Sequence, residues 1–196
     1  DERDGKTYKT VKMGEQVWLA ENLDASKFRN GDPISHCQTD NRWGSASWNG
    51  QSAWCDHPRP TIGLKNELKI GKLYNWYAAD DARGLAPNGW HIPSKEEWQE
   101  LIDFVLKKGH QPTLANLNKL YGFNLYPGGM KYYDAATMSR EKGFSAISDG
   151  GKWWCKDITY SNRAYFLGIS SSDSKNIVFF NAFDKGYGFS VRCIKD

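Results

Sequence analysis

The segment GWHIPSKEEWQELIDFVLKK, residues 89–108, carries the clearest structural signal of the chain. Ser94 followed by Glu97 is a capping box, in which each side chain satisfies an unpaired amide at the start of a helix. Apolar residues then recur at the three- and four-residue spacing of one helical face: Trp98, Leu101, Ile102 and Val105. The segment therefore predicts a helix from Ser94 to about Lys108, with one buried face and Gly109 at its end.

The flanking segments predict short elements of both kinds. Before the capped helix the pattern predicts a hairpin over residues 4–18 and a short helix over 73–82, and after it a second short helix over 114–120. Beyond Phe123, glycines separate short apolar segments that are typical of antiparallel strands, at residues 153–154, 165–167, 177–180 and 189–193. Because the helices fall in the first half and most strands in the second, the order favours an α+β fold.

Residues 28–70 are the least regular part of the chain. They show no helix or strand periodicity, contain several glycines and prolines, and include Trp43, Trp48 and Trp54. A long irregular stretch inside a compact domain is usually functional or cross-linked. We therefore expect a single domain over residues 1–196, with a long loop insertion at about 28–70.

Charge and hydropathy argue against two classes of partner. The chain has 26 Lys and Arg against 23 Asp and Glu, a net charge of +3, and no run of like charges. Nucleic-acid binding needs a concentrated basic face, so we expect no nucleic-acid partner. The apolar stretches are only a few residues long, so we expect no membrane-spanning segment.

The four cysteines, Cys37, Cys55, Cys155 and Cys193, match no metal motif, since the chain has neither CxxC nor a Cys/His pair at zinc spacing. We expect neither a metal nor a cofactor.

Four cysteines allow three disulfide connectivities, of which we favour the one that pairs Cys37 with Cys55 and Cys155 with Cys193. The alternative is four buried free thiols in a cytosolic protein. The favoured pairs are worth about 3 and 4 kcal/mol on the chain-entropy estimate. Paired cysteines favour an exported protein, and we expect that a leader preceding Asp1 has been removed or lies upstream of the sequence.

Several motifs occur in a fixed order along the chain: QVWLAENL at 16–23, GKLYNWYAA at 71–79, GWHIPS at 89–94, Trp153-Trp154, and GFSVRC at 188–193. In this order they resemble the Fibrobacter-type major paralogous domain, of the C-type-lectin-like superfamily. The resemblance implies a C-type-lectin-like fold, with two main helices, a small twisted antiparallel sheet and long disulfide-stapled loops. It also implies an exported or surface-attached bacterial protein, and it attaches no activity to the family as a whole.

The chain departs from the pattern that the resemblance implies at two positions. Family members often carry a cysteine just before the Gly-Trp-His motif, where this chain has Ala86. They usually carry serine after the Trp-Trp pair, where this chain has Cys155. A disulfide partner that moved between neighbouring strands would explain both departures.

Two groups of residues are candidate ligand contacts. In the loop between Cys37 and Cys55, Trp43 and Trp48 offer flat rings for sugars; alternatively these rings form a small core that holds the loop. In the C-terminal half, the candidates are rings and adaptable polar groups of the kind that binding surfaces use: Trp154, Tyr160, Asn162, Arg163, Tyr165 and Tyr187. The alternative is an ordinary solvated sheet face. Since neighbouring strand residues face opposite ways, we expect Trp154 to be exposed and Trp153 to point inward with Cys155.

These features favour a non-catalytic binding or adhesion module on a bacterial surface, with a glycan or protein as its ligand. A structural or pilus-associated domain without a soluble ligand is the first alternative. An enzyme of the formylglycine-generating type is the second, and it would need a reactive cysteine pair near the C-terminal end. We expect His91 to be structural, and we expect Asp80 and Asp81 to be solvated rather than to bind a cation.

Overall fold

The computed structural model describes residues 1–57, 70–133, 143–144, 150–170 and 178–196. Part of the predicted insertion (58–69) and the first residue of the strand predicted at 177–180 lie outside the described residues. The four helices of the described part are α1 (Asp40–Trp48), α2 (Trp76–Ala79), α3 (Lys95–Lys107) and α4 (Leu114–Tyr121).

The strands of the described part are mostly short. They are β1 (Thr10–Met13), β2 (Gln16–Leu19), β3 (Ser35–His36), β4 (Ala53–Cys55), β5 (Leu73–Asn75), β6 (Trp90–His91), β7 (Gly151–Tyr160), β8 (Arg163–Ile169), β9 (Val178–Asp184), β10 (Gly188–Phe189) and β11 (Ile194–Lys195). They form three sheets, with the orders β1-β2-β11-β6, β10-β5-β4-β3 and β7-β8-β9. Every pairing of named strands is antiparallel except that of β3 with β4.

The capped helix is confirmed in detail. Ser94 Oγ accepts a hydrogen bond from Glu97 N at 3.0 Å, and Glu97 Oε2 accepts one from Ser94 N at 2.7 Å. The buried residues of α3 are the four that the spacing predicted: Trp98, Leu101, Ile102 and Val105. The N-terminal hairpin is also confirmed, with Thr10–Met13 paired against Gln16–Leu19.

Two predicted local structures differ from the observed ones. The segment predicted to be irregular contains β3, α1 and β4, so a helix with an N-cap at Thr39 replaces part of the expected loop. The helix was not predicted because α1 contains Gly44, Ser45 and Ser47, and glycine and serine are poor helix formers. The helix predicted for 73–82 is shorter than expected, because Leu73–Asn75 pair as a strand before Asn75 caps α2.

The described residues form three hydrophobic cores. The first surrounds Trp154, Phe166 and Phe189, and the second surrounds Trp18, Trp98 and Trp153. The third lies around Trp43 and the sheet β10-β5-β4-β3. β7 runs between the first two cores, so both faces of its segment 153–155 are buried: Trp154 faces the first core, and Trp153 and Cys155 face the second.

Asn22, Trp153 and Arg192 form a buried hydrogen-bonded group, which we call the polar hub. The Asn22 side chain receives hydrogen bonds from Trp153 Nε1 at 2.9 Å and Arg192 Nη2 at 2.8 Å, and it donates to the carbonyl oxygens of Ile70 and Tyr126. The guanidinium of Arg192 also donates to the carbonyl oxygens of Leu19 and Asn124, and it lies over the ring of Phe123. Burial lowers the pKa of Arg192 to about 9.

The C-type-lectin-like expectation is wrong for this chain. The described residues are mostly β, in three sheets rather than one small sheet, and four helices replace the two main ones. Short strands of two to four residues carry too little periodicity to reveal three sheets from sequence.

The predicted disulfides are wrong as well, because all four cysteines are buried free thiols. Cys155, on β7, belongs to the second core and Cys193 to the first, so the two thiols lie in different cores. Cys37 and Cys55 share the third core, where strand pairing and α1 hold the segment without a covalent link. Burial raises the pKa of Cys193 to about 12.

Candidate functional site

The loop that follows β9 is a junction of three elements. The carbonyl oxygen of Gly186 accepts hydrogen bonds from Trp43 Nε1 at 2.9 Å and Ser47 Oγ at 3.1 Å, which attach α1 to the loop. The carbonyl oxygen of Lys185 accepts from Trp76 N at 2.9 Å, which attaches α2. Gly186 admits no side chain, because a Cβ there would lie 2.2 Å from the ring of Tyr133.

Trp48 lies on the outer side of α1, directly after Ser47. Its side chain is 61% exposed, whereas Trp43 on the inner side of the same helix is 1% exposed. A residue five positions earlier in a helix lies on a different face, which explains the contrast. The hydrogen bonds of Trp43 and Ser47 to Gly186 therefore fix the helix that presents the Trp48 ring to solvent.

The β7–β8 hairpin is also bonded to this loop. Tyr160 pairs with Arg163 across a two-residue turn, and the carbonyl oxygen of Asn162 accepts a hydrogen bond from Lys185 N at 3.0 Å. Tyr160 is 71% exposed, and Asn162 and Arg163 are exposed as well. Four of the predicted contacts, Trp48, Tyr160, Asn162 and Arg163, thus lie on two elements that bond to one loop; we call these four residues the aromatic end.

Two predicted contacts are not surface residues. Trp43 lies in the third core, and Trp154 is fully buried, with its indole N–H donating to the carbonyl oxygen of Tyr74 at 2.8 Å. The expectation that Trp154 faces solvent is wrong. Strand alternation does place Trp153 with Cys155 and Trp154 on the opposite face, but both faces of this part of β7 are covered by core.

The last two predicted contacts are half-buried. Tyr165 lies under the ammonium group of Lys95, whose Nζ is 4.8 Å from the ring centroid. Tyr187 stacks on Phe183 at a centroid distance of 4.9 Å, on the inner side of the junction loop. Neither ring is presented to solvent in the way that Trp48 and Tyr160 are.

Charged groups near the aromatic end are held by the fold. Lys185 Nζ lies 4.2 Å from the centroid of the Trp76 ring. Burial raises the pKa of Asp80, and Lys185 partly offsets this effect. Asp81 instead pairs with Arg83 at 2.8 Å and accepts a hydrogen bond from Ser52 Oγ at 2.7 Å, so the two neighbouring carboxylates have separate environments.

His91 is held between two carboxylates. Its Nε2 lies 2.8 Å from Glu97 Oε1, and its Nδ1 lies 2.6 Å from Asp196 Oδ1. These contacts tie β6 to the capping box of α3 and to the residue that follows β11. Over the described ranges, no group of three or more His, Cys, Asp or Glu side chains is arranged to hold a metal ion.

A cavity of about 470 Å³ lies away from these predicted contacts. Among the described residues, three separate stretches line it: Asp1–Arg3, Arg29–Gly31, and Pro87–Asn88 with Trp90. No motif links these stretches, so sequence reasoning did not predict the site. Trp90 is half-buried and packs against the first core.

The fold and its surface define a β-rich domain with a buried polar hub and an exposed aromatic end. The chain belongs to the Fibrobacter succinogenes major domain family, whose model matches residues 11–195. A search of curated proteins finds no significant match. In the part of the chain that the structure describes, no helix has both the length and the apolar character needed to cross a bilayer.

Proposed function

We propose that the chain is a non-catalytic module that binds a glycan at the aromatic end. The observation that carries the proposal is the exposure of Trp48 and Tyr160, at 61% and 71%, on elements fixed to one loop. Large exposed apolar groups are unfavourable in water and often mark a binding surface. Rings held by a rigid framework lose little conformational entropy when a ligand binds.

The neighbouring polar groups suit a hydroxyl-rich ligand. Asn162 offers both a donor and an acceptor, and Arg163 offers several donors, at the turn next to Tyr160. Indole and phenol rings give a flat apolar surface, and such aromatic residues typically contribute about 2 kcal/mol or more to binding. The aromatic end therefore combines a stacking surface with hydrogen-bonding groups.

The state of the cysteines supports a role without thiol chemistry. A reactive thiol needs a thiolate, and burial raises the pKa of both Cys155 and Cys193. The two thiols also lie in different cores, so they do not form the close pair that the formylglycine-generating reaction needs. A location on the bacterial surface remains part of the proposal, but the free thiols give it no support.

A glycan array tests the proposal. The wild-type chain is expected to bind at least one glycan, and Trp48→Ala and Tyr160→Ala are expected to lose that signal. Leu106→Ala and Leu120→Ala are matched controls, because these side chains are 45% and 48% exposed on α3 and α4. An array without signal for the wild type, or equal loss in the leucine controls, contradicts the proposal.

A further inference from the structure

We infer that the 470 Å³ cavity beside Arg29 and Trp90 is a second binding site, for a hydroxylated carboxylate such as a sugar acid. The site is separate from the aromatic end, since none of Trp48, Tyr160, Asn162 or Arg163 lines it. The inference therefore goes beyond the proposed function and does not depend on it.

Arg29 is fixed but keeps unused donors. Its Nε donates to the carbonyl oxygen of Ala86 and its Nη2 to that of Trp90, both at 3.2 Å. Among the described residues no carboxylate pairs with Arg29, and its Nη1 has no hydrogen-bond acceptor. A guanidinium held in this way is prepared to bind a carboxylate through two parallel hydrogen bonds.

Arg3 also lines the cavity, and each nitrogen of its guanidinium donates a hydrogen bond to a protein acceptor. It pairs with Asp1 through Nε at 2.9 Å and Nη2 at 2.6 Å, and its Nη1 donates to the carbonyl oxygens of Lys27 and Leu85. The side chains of Arg3 and Asp1 therefore neutralise each other, and the N-terminal ammonium of Asp1 donates to the carbonyl oxygen of Lys6. Among the described residues of this wall, Arg29 is the side-chain cation that no carboxylate pairs with.

Three further polar groups of the wall lack partners among the described residues, whereas the Asn30 side chain is hydrogen-bonded to Asp32. Within the described ranges, the indole N–H of Trp90, the amide of Asn88 and the carboxylate of Glu2 make no hydrogen bond or ion pair with other protein groups. Asn88 and Glu2 are exposed, and Trp90 is half-buried. These groups can donate to and accept from hydroxyls, and the Trp90 ring offers an apolar face.

The distribution of charge sets the orientation of the ligand. Its carboxylate is attracted to Arg29 and repelled by Glu2, so its hydroxyls face Glu2 and Asn88. A simple anion would leave the hydroxyl-binding groups unused, and a neutral sugar would leave the Arg29 donors unused. Because unmatched polar groups in a site lower affinity, a ligand with both kinds of group is favoured.

The test is a titration of the ¹⁵N-labelled chain with sodium D-glucuronate, D-glucose and sodium acetate at equal ionic strength, followed by ¹H–¹⁵N correlation spectra. The indole signal of Trp90 and the amide signal of Asn88 are assigned with Trp90→Phe and Asn88→Ala. Glucuronate is expected to shift both signals and to bind about 10-fold more tightly than glucose or acetate, a difference of about 1.4 kcal/mol.

Variants locate the contact. Arg29→Gln is expected to weaken glucuronate binding about 10-fold or more, and Arg29→Lys to weaken it less, because lysine keeps the charge without the planar fork. Arg83→Gln is the control, since Arg83 lies in the neighbouring segment between α2 and β6, pairs with Asp81 and Asp32, and does not line the cavity. Asn88→Ala, which breaks no side-chain hydrogen bond within the described part, is expected to weaken binding without lowering the melting temperature.

Four results would overturn the inference. Glucuronate could shift neither signal at about 50 mM, a concentration that detects millimolar affinity. Acetate could bind as tightly as glucuronate, which would indicate an anion contact only. Arg29→Gln could bind like Arg83→Gln. Finally, the shifts could occur at the Trp48 indole and disappear in Trp48→Ala, which would place the ligand at the aromatic end.

Discussion

In the interior, the indole N–H of Trp153 and the guanidinium of Arg192 both donate to Asn22, whereas at the aromatic end Trp48 and Arg163 are exposed to solvent. The two regions use the same side-chain types for different purposes. In the hub, nearly every polar group has a protein partner. At the surface, rings and donors are left free for a ligand.

This difference explains what the family resemblance can and cannot provide. Several motif residues that carry the resemblance are buried and hydrogen-bonded, among them Asn22, Trp153, Trp154 and Arg192. Motifs of this kind determine the fold. The aromatic end and the Arg29 cavity owe their chemistry largely to residues outside those motifs, so family membership does not name a ligand.

The largest expected effect is at the hub. Asn22→Ala removes four hydrogen bonds and leaves the Trp153 indole and one Arg192 nitrogen without that acceptor. Each unsatisfied buried group costs about 1–3 kcal/mol, so we expect a loss of roughly 4 kcal/mol or more in the free energy of unfolding, measured by urea titration. Asn162→Ala at the aromatic end is the control. A loss below about 1 kcal/mol for Asn22→Ala would show that the hub contributes little to the stability of the fold.

The next effect is a pH dependence at His57. Burial lowers the pKa of His57 from 6.5 to about 4, against the smaller opposing effects of the Gly128 carbonyl and Asp56. The folded chain therefore binds fewer protons than the unfolded chain between these values, so stability is full above pH 6.5 and falls as the pH drops towards 4.

The expected size of this loss is about 3 kcal/mol. It is measured as the free energy of unfolding at pH 7, 6, 5 and 4, for the wild type and for His57→Gln. The variant lacks the group but keeps every carboxylate, so its stability is expected to fall less over this range. Parallel curves for the two proteins would show that His57 is protonated equally in both states.

A smaller effect is expected at the helix cap. Ser94→Ala removes the acceptor for Glu97 N at the start of α3 and is expected to cost about 1 kcal/mol, seen as a lower urea midpoint with an unchanged slope. Thr113→Ala at the start of α4 is a comparison, because its hydroxyl accepts from Asn116 N in the same way. No change in Ser94→Ala would mean that the packing of Trp98 alone sets the stability of α3.

The sequence predicts those features that depend on local spacing. The α3 cap and its buried face follow from residues 94–105, and the N-terminal hairpin follows from its turn and alternation. The buried state of Trp154 could not be predicted in this way, because alternation assigns opposite faces without saying that both are covered. The thiol state of Cys155 and Cys193 depends on the same long-range packing.

The candidate sites show the same limit. Trp48 and Tyr160 were predicted as contacts from their chemistry, but only the structure shows that their elements bond to the same loop, at Gly186 and Lys185. The Arg29 cavity was not predicted at all, since its three walls are distant in sequence. A site built from loops depends on which distant segments the fold brings together. The periodicity of short strands is too weak to predict this from sequence.

The central claim is that stability resides in the hub and binding in the aromatic end, and calorimetric titration of Trp48→Ala with the strongest glycan from the array tests it most directly. The predicted result is a loss of about 2 kcal/mol in binding free energy, roughly 30-fold in affinity. The free energy of unfolding of the same variant is expected to change by less than ~0.5 kcal/mol, as for an exposed surface residue. An unchanged affinity, or a loss of stability comparable to that of Asn22→Ala, would contradict the claim.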